Sequence, residues 1–245
     1  SIMCCSFGFD EAWHLQCDLA RAQTLLCNPW VAGLGFGQTK KWSIPMQLLR
    51  AGPSPFVRKV LVTLHETDQF ADVEQVDVAA SPIEPDSKLI AANPMGKIPA
   101  LIRSDGPTIY DSRVICRYLD ARAEAGLYPE RRLWDTLTLE ATADGIMDAA
   151  VLMVYEMRFR PENIVFQPWM DGQWSKVSRA LDALNTRWMS HLNGRMDMGH
   201  IAIGCALEYL DFRHEERSWR TGRDALAAWQ ETFAKRDSMM ATKPE

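Results

Sequence analysis

The chain has 245 residues, enough to bury a substantial core as one large domain or two small ones. Its 27 Lys and Arg stand against 32 Asp and Glu, a formal charge of −5, so no global basic field is available to attract nucleic acid. Hydrophobic residues make up 47% and charged residues 24%, an ordinary globular balance, and no run approaches the ~18 apolar residues of a membrane helix. Residues 1–11 also lack the basic start and apolar centre of a secretory signal, so a soluble, cytoplasmic protein without a membrane or nucleic-acid partner is expected.

Residues 1–44 differ from the rest. Gly33, Gly35 and Gly37 lie close together, Trp13, Trp30 and Trp42 are scattered, and neither a helical nor a strand period is sustained. The stretch is read as an extension outside the fold, consistent with an over-extended start of translation, with a short helix around residues 10–26 as its one candidate element. Its Gly-x-Gly-x-Gly run is not a dinucleotide fingerprint, because no strand precedes it and no helix clearly follows. Four of the six cysteines (Cys4, Cys5, Cys17, Cys27) fall here, and no pair has Cys-x-x-Cys spacing. Cys116 and Cys205 sit inside apolar helical patterns and read as small buried hydrophobes.

Order begins near Met46. Met46–Arg50 reads as a strand, broken by Ala51-Gly52-Pro53-Ser54-Pro55. A helix follows, with Phe56, Val60 and Leu64 on one stripe, Ser54 at its N-cap and Pro55 at its first position. Val73–Val78 is the second strand and residues 86–92 a short helix. Ile98–Ile102 is the third strand, Ser104–Pro107 a turn and Thr108–Tyr110 a fourth strand. Asp111 or Ser112 then caps a helix carrying Val114, Ile115, Tyr118 and Leu119. This order predicts a small α/β domain of thioredoxin type over residues 45–125. After the linker Gly126–Glu130, strand signals vanish. Helices are expected over 131–160, 173–193, 198–213 and 222–236, giving an all-α C-terminal domain over residues 131–240. The third of these is nearly unbroken apolar from Ile201 to Leu207, as expected of a helix buried all round.

Several of these segments resemble a known family. Ser54-Pro55-Phe56-Val57-Arg58-Lys59-Val60 resembles the first-helix signature of serine-type glutathione S-transferases. Asn93-Pro94-Met95-Gly96-Lys97-Ile98-Pro99-Ala100-Leu101 resembles that superfamily's segment around its cis-proline, and Tyr110-Asp111-Ser112 its acid–serine pair. Ala143–Ala149 and Ala206–Arg213 resemble a bacterial, YibF-like branch. The resemblance spans about residues 45–240 and implies the glutathione S-transferase fold, glutathione as co-substrate and a homodimer. It implies Ser54 as the catalytic residue, with Lys97, Ile98, Pro99, Asp111 and Ser112 binding glutathione. Ile98 would pair with the cysteinyl backbone of the tripeptide, Asp111 would meet its γ-glutamyl amine and Ser112 the neighbouring carboxylate. Lys97 would reach the glycine carboxylate or stand as a solvated charge.

The chemistry such a site needs is clear. A free thiol has a pKa of about 8.5, so little of it is thiolate at neutral pH. Ser54 offers a hydroxyl to the sulfur, and the N-terminus of the helix behind it offers a positive field. The same hydroxyl is expected to cap the helix, so capping and thiolate binding compete. Three readings follow. The first is conjugation of glutathione to a hydrophobic electrophile, and the second is thiol transfer, which normally needs a cysteine in place of Ser54. The third is a non-catalytic binding or regulatory protein.

Met147, Val151, Tyr155 and Arg158 share a helical stripe that either faces the electrophile or belongs to the core, the commoner outcome. Asp144 reads as an exposed helical residue or as a contact to ligand or a second subunit. His65, His191 and His214 stand apart from other ligands, so no metal is expected. Many family members open the buried helix with Ser or Thr followed three residues later by Asp. Here Asp197 and His200 hold those positions, so the returning half of that cap is expected to be weak and pH-sensitive.

Overall fold

The computed structural model describes residues 46–244; the extension over residues 1–44, with its candidate helix, lies outside the described residues. Strand β1 (Met46–Arg50) is central, flanked by β2 (Val73–Asp77) and β3 (Ala100–Ile102) in the order β2-β1-β3. β1 runs parallel to β2, with Met46 opposite Val73, and antiparallel to β3, with Leu49 opposite Ala100. Leu48 and Leu49 point to opposite faces, yet both are buried, because helices cover the sheet on both sides. Leu48 joins the main core with α1 (Pro55–Glu66) and α3 (Ser112–Ala123), while Leu49 packs with Ala100 and with Leu89 of α2 (Ser87–Ala92).

The expected fourth strand over Thr108–Tyr110 contracts to one bridge, in which Ile109 and Leu101 exchange backbone hydrogen bonds of 3.0 and 2.9 Å. The space is too short for a ladder. Pro107 has no N–H, its carbonyl is taken by Arg103 at 3.0 Å, and Asp111 is already the cap of α3.

The second layer is entirely helical among the described residues. Helix α4 covers Leu133–Phe159, and α5 covers Gln167–Ala183. A π-helical turn at Leu184–Trp188 separates α5 from α6 (Met189–Leu192), so the single helix expected over 173–193 is three pieces. Its start also lies earlier than expected, because Pro168 is a breaker only outside the first turn and here stands within it. Helix α7 (Met198–Arg213) is buried all round from Met198 to Leu207, as its sequence required, and packs on α4 and α1. Gly204 makes its contact with α8 (Asp224–Phe233) possible, since a Cβ there would lie 2.5 Å from the Phe233 ring. A further short helix, α9 (Asp237–Ala241), was not anticipated. Among the described residues no helix is long and apolar enough to cross a membrane. The architecture is a thioredoxin-like sheet layer followed by an all-α layer.

The start of α7 corrects two expectations. Asp197 caps the helix by accepting from the Gly199 N–H at 3.0 Å, and His200 does return the bond, its Nδ1 lying 3.2 Å from the Asp197 N–H. The same nitrogen lies 2.8 Å from Asp197 Oδ1, so it serves as acceptor to one or donor to the other according to its proton. His191 is not isolated either: its Nε2 lies 2.7 Å from Asp197 Oδ2, which also accepts from Thr136 at 3.0 Å. Burial pulls the Asp197 carboxyl up, but the hydrogen bond and charge of His200, together with His191 and Thr136, outweigh it and bring the pKa down to about 2.

The two layers are joined by charge as well as by apolar contact. Lys59 of α1 is fully buried, with Nζ 2.7 Å from Asp144 and 3.1 Å from Glu140 on α4. Asp144, expected to be exposed, is therefore buried. The Tyr128 hydroxyl completes the cluster, 3.1 and 3.2 Å from the two Glu140 oxygens. Burial alone would lower the Lys59 pKa, but the facing carboxylates outweigh it and hold it above the ordinary lysine value. Removing the ammonium alone strands two buried carboxylates. Lys59→Met is therefore expected to cost about 3–5 kcal/mol in guanidinium unfolding. Combining it with Glu140→Gln and Asp144→Asn should recover most of that loss, and a triple variant no more stable than the single one would contradict this account.

Candidate functional site

Ser54 is the N-cap of α1, in extended conformation, with its Oγ 3.4 Å from the Val57 N–H and Pro55 in the first turn. The cap uses an oxygen lone pair and leaves the hydroxyl proton free, so capping does not compete with donation to a ligand as the sequence reading expected. Ser54 borders a crevice of about 10 Å³, room for one water-sized group, whose wall includes Arg58, Cys205 and Tyr209. Arg58 is buried, pairs with Glu208 and donates to the Met239 carbonyl at 2.9 Å. Its second terminal nitrogen, Nη1, has no partner among the described residues. Burial pushes the Cys205 thiol up to about 12, and the same holds for Cys116 in the core.

Strand register shows which segments share an end of the sheet. β3 runs antiparallel to β1 with Ala100 opposite Leu49, so the Ile98–Pro99 pair just before β3 and the loop just after β1 lie at the same end of the sheet. The Leu101–Ile109 bridge is antiparallel too, so the chain leaves it toward that same end, where Asp111 follows. The loop carrying Ser54, the Ile98–Pro99 pair and the Asp111–Ser112 start of α3 thus gather at one sheet end. The Ile98–Pro99 peptide is cis, as expected. Among the described residues the Ile98 N–H and C=O have no backbone partner, which leaves them available to an added chain.

The loop before Ile98 is held by buried Asn93, which donates to the Lys97 carbonyl at 2.7 Å and accepts from the Met95 N–H at 3.0 Å. Gly96 supplies the left-handed backbone this loop needs, with φ of +61°. Lys97 is exposed and has no carboxylate partner among the described residues.

Asp111, not Ser112, caps α3, accepting from the Arg113 N–H at 3.0 Å; Ser112 is the first helical residue and is buried. The Arg113 guanidinium reaches back to Asp111 at 2.8 Å and approaches Asp144 at 3.6 Å. Partial burial pulls the Asp111 carboxyl up, but Arg113 outweighs it through its side chain, charge and N–H and holds it below the usual aspartate value. Asp148, one turn beyond Asp144, is shifted upward by burial and then by Asp144, while Lys97 and Arg113 pull it down.

Sequence reasoning did not single out Arg58, Tyr209 or Asp148. Arg58 stood inside the first-helix motif, but helical periodicity alone does not say which turn faces a crevice. Of the α4 stripe, Met147 is core, Val151 and Tyr155 are partly buried, and Arg158 is exposed.

Two layers of this kind, with a serine-capped helix and a cis-proline loop at one sheet end, define a thioredoxin-like sheet layer joined to an all-α layer. The chain belongs to the glutathione S-transferase family. The family's N-terminal domain model matches residues 53–122 and its C-terminal domain model residues 167–231. The GST-like protein YibF of Escherichia coli K12 is 31% identical over 205 residues, covering 81% of this chain and 98% of YibF. A glutathione transferase family member of Pseudomonas fluorescens Pf-5, solved with bound glutathione, is 44% identical with a TM-score of 0.80 over 82% of this chain and 99% of its own. A structure from the same organism with bound S-(propanoic acid)-glutathione is 42% identical, with a TM-score of 0.76 over 82% of this chain and 100% of its own.

The Asp111–Arg113 contact has a direct pH signature. With its folded pKa below the unfolded one, the contribution of Asp111 is fully present above the ordinary aspartate range and is lost as pH falls through the folded value. Arg113→Met should therefore raise the midpoint of Asp111 toward 3.8, read from its carboxyl carbon in an NMR titration. An unchanged midpoint would mean that the guanidinium does not control this carboxylate.

Proposed function

We propose that the protein is a glutathione transferase that binds glutathione at this sheet end, stabilises its thiolate with Ser54 and conjugates it to a hydrophobic electrophile. The observation that carries the reading is the hydroxyl at the start of α1, placed at the same sheet end as the cis Ile98–Pro99 loop and the Asp111–Ser112 cap. Glutathione lies with its cysteinyl backbone along Ile98 and its γ-glutamyl amine at Asp111. Its α-carboxylate meets the N-terminus of α3 at Ser112, and Lys97 faces the glycine carboxylate. The ionised state of Asp111 suits a cationic amine.

At the sulfur, two positive influences converge, the Ser54 proton and the N-terminal field of α1, while Arg58 in the wall of the same crevice is already paired with Glu208. Each favours thiolate over thiol, which is the work an addition reaction asks of the protein. The glutathione and S-(propanoic acid)-glutathione held by the Pseudomonas relatives support both the tripeptide and a conjugate as occupants. Among the described residues thiol transfer lacks its usual nucleophile, since a serine stands at position 54 and the Cys205 thiol beside the crevice is buried, its pKa pushed up to about 12. The working form is a cytoplasmic homodimer, a reading supported by family membership and by exposed Val114 on α3 and Trp134 and Leu152 on α4.

Ser54→Ala should leave glutathione binding nearly intact, abolish the ultraviolet thiolate band at neutral pH, and lower conjugation about tenfold to a hundredfold. Retention of both band and turnover would remove Ser54 from the mechanism. Light scattering should return a dimer mass; a monomer would contradict the assembly.

A further inference from the structure

Two histidines converge on one carboxylate where α6 hands over to α7. His191 of α6 sets its Nε2 2.7 Å from Asp197 Oδ2, and His200, in the first turn of α7, sets its Nδ1 2.8 Å from Asp197 Oδ1. The two ring centroids lie 5.4 Å apart, and one ligand atom from each of the three residues falls within 4.8 Å of the others. Asp197 and His200 are buried, whereas His191 is only partly buried, so solvent meets the cluster at its ring.

Capping the helix does not account for this arrangement. A carboxylate at position 200 would also accept from the Asp197 N–H, without a second ring nitrogen to strand. The imidazole instead leaves Nε2 buried with no partner among the described residues. His191 takes no part in the cap, yet it is held on the second carboxylate oxygen. In each short contact a ring nitrogen faces a carboxylate oxygen, so a positive centre must stand between them, either a proton or a metal ion. When the His200 Nδ1 accepts from the Asp197 N–H at 3.2 Å, it carries a lone pair and no proton, and its contact with Oδ1 then calls for an ion. Two imidazoles and one carboxylate form a donor set suited to zinc, with a fourth position left to water.

We propose that His191, Asp197 and His200 bind a zinc ion that ties α6 to the first turn of α7. A tetrahedral ion at about 2.0–2.1 Å from each ligand separates the ligand atoms by roughly 3.3 Å, so the rings withdraw from the carboxylate by about half an ångström. Two neighbours bear on the ion. Thr136 donates to Oδ2 at 3.0 Å and orients the carboxylate, whereas Arg132 Nη2 lies 3.6 Å from the same oxygen and opposes a second cation. Arg132 is partly exposed and already donates to the Arg195 carbonyl at 3.1 Å, so its guanidinium yields toward solvent as the ion enters. Because α7 packs on α4 and α1, a clamp at its first turn steadies the helical layer as a whole. The site is independent of the proposed conjugation.

The test is calorimetric titration with zinc chloride, without glutathione, of the full chain stripped of metal and with its accessible thiols alkylated. One ion per chain should bind. Free zinc about a hundredfold above the dissociation constant should raise the melting temperature by about 5 °C or more. X-ray absorption at the zinc edge should show nitrogen and oxygen ligands with the outer scattering of two imidazoles. His200→Asn, whose amide oxygen still accepts from the Asp197 N–H, should weaken zinc at least about tenfold, and His191→Gln likewise. Both should leave glutathione affinity and the metal-free melting temperature nearly unchanged, and Arg132→Gln should tighten zinc. No binding, sulfur ligands at the zinc edge, or zinc binding indifferent to both histidine variants would overturn the proposal.

Discussion

The ammonium of Lys59, enclosed by Asp144 and Glu140, is the interaction on which the placement of the site depends. Removing a lysine head group from water is costly, and only close carboxylates of good geometry offset that cost. The cluster therefore tolerates one mutual position of α1 and α4. Ser54 is the cap of the same α1, so the contact that joins the sheet layer to the helical layer also fixes where the hydroxyl stands. Asp144 extends the connection outward through Arg113 to Asp111, and a buried charge in the core is thereby linked to a carboxylate at the open end of the sheet.

Under the proposed function the Ser54 hydroxyl meets two demands. An N-cap needs an acceptor, whereas a developing thiolate needs a donor, and one Oγ supplies a lone pair to Val57 while keeping its proton. Alanine would lose both roles. Arg58 divides its duties in a similar way, with part of the guanidinium committed to Glu208 and the Met239 carbonyl and one nitrogen left uncommitted.

Features with local causes were legible in the sequence. Pro55 behind Ser54, Asp111 before an apolar helical stripe, and the apolar run from Ile201 to Leu207 each declare their structure without distant partners. The motifs around Ser54, Ile98–Pro99 and Asp111 likewise indicated a shared site through family resemblance. What escaped notice depends on contacts far along the chain. Asp144 looks exposed until Lys59, 85 residues earlier, is placed against it. The fourth strand dwindled because Arg103 consumes the carbonyl that would have extended the pairing. Pro168 concealed the start of α5, since proline breaks or begins a helix according to its position. Residue type alone does not reveal that the His200 Nδ1 comes within reach of the Asp197 N–H.

Helix α9 has a practical corollary for handling the protein. Arg236 and Ser238 both bind Glu66 at the far end of α1, the Met239 carbonyl receives Arg58, and Pro244 borders the crevice at Ser54. Residues 236–244 thus run alongside α1 from its exit to its entry. An affinity tag or fusion partner following Pro244 would sit beside the crevice at Ser54, where the thiol is proposed to bind, so recombinant work is better served by a tag placed elsewhere.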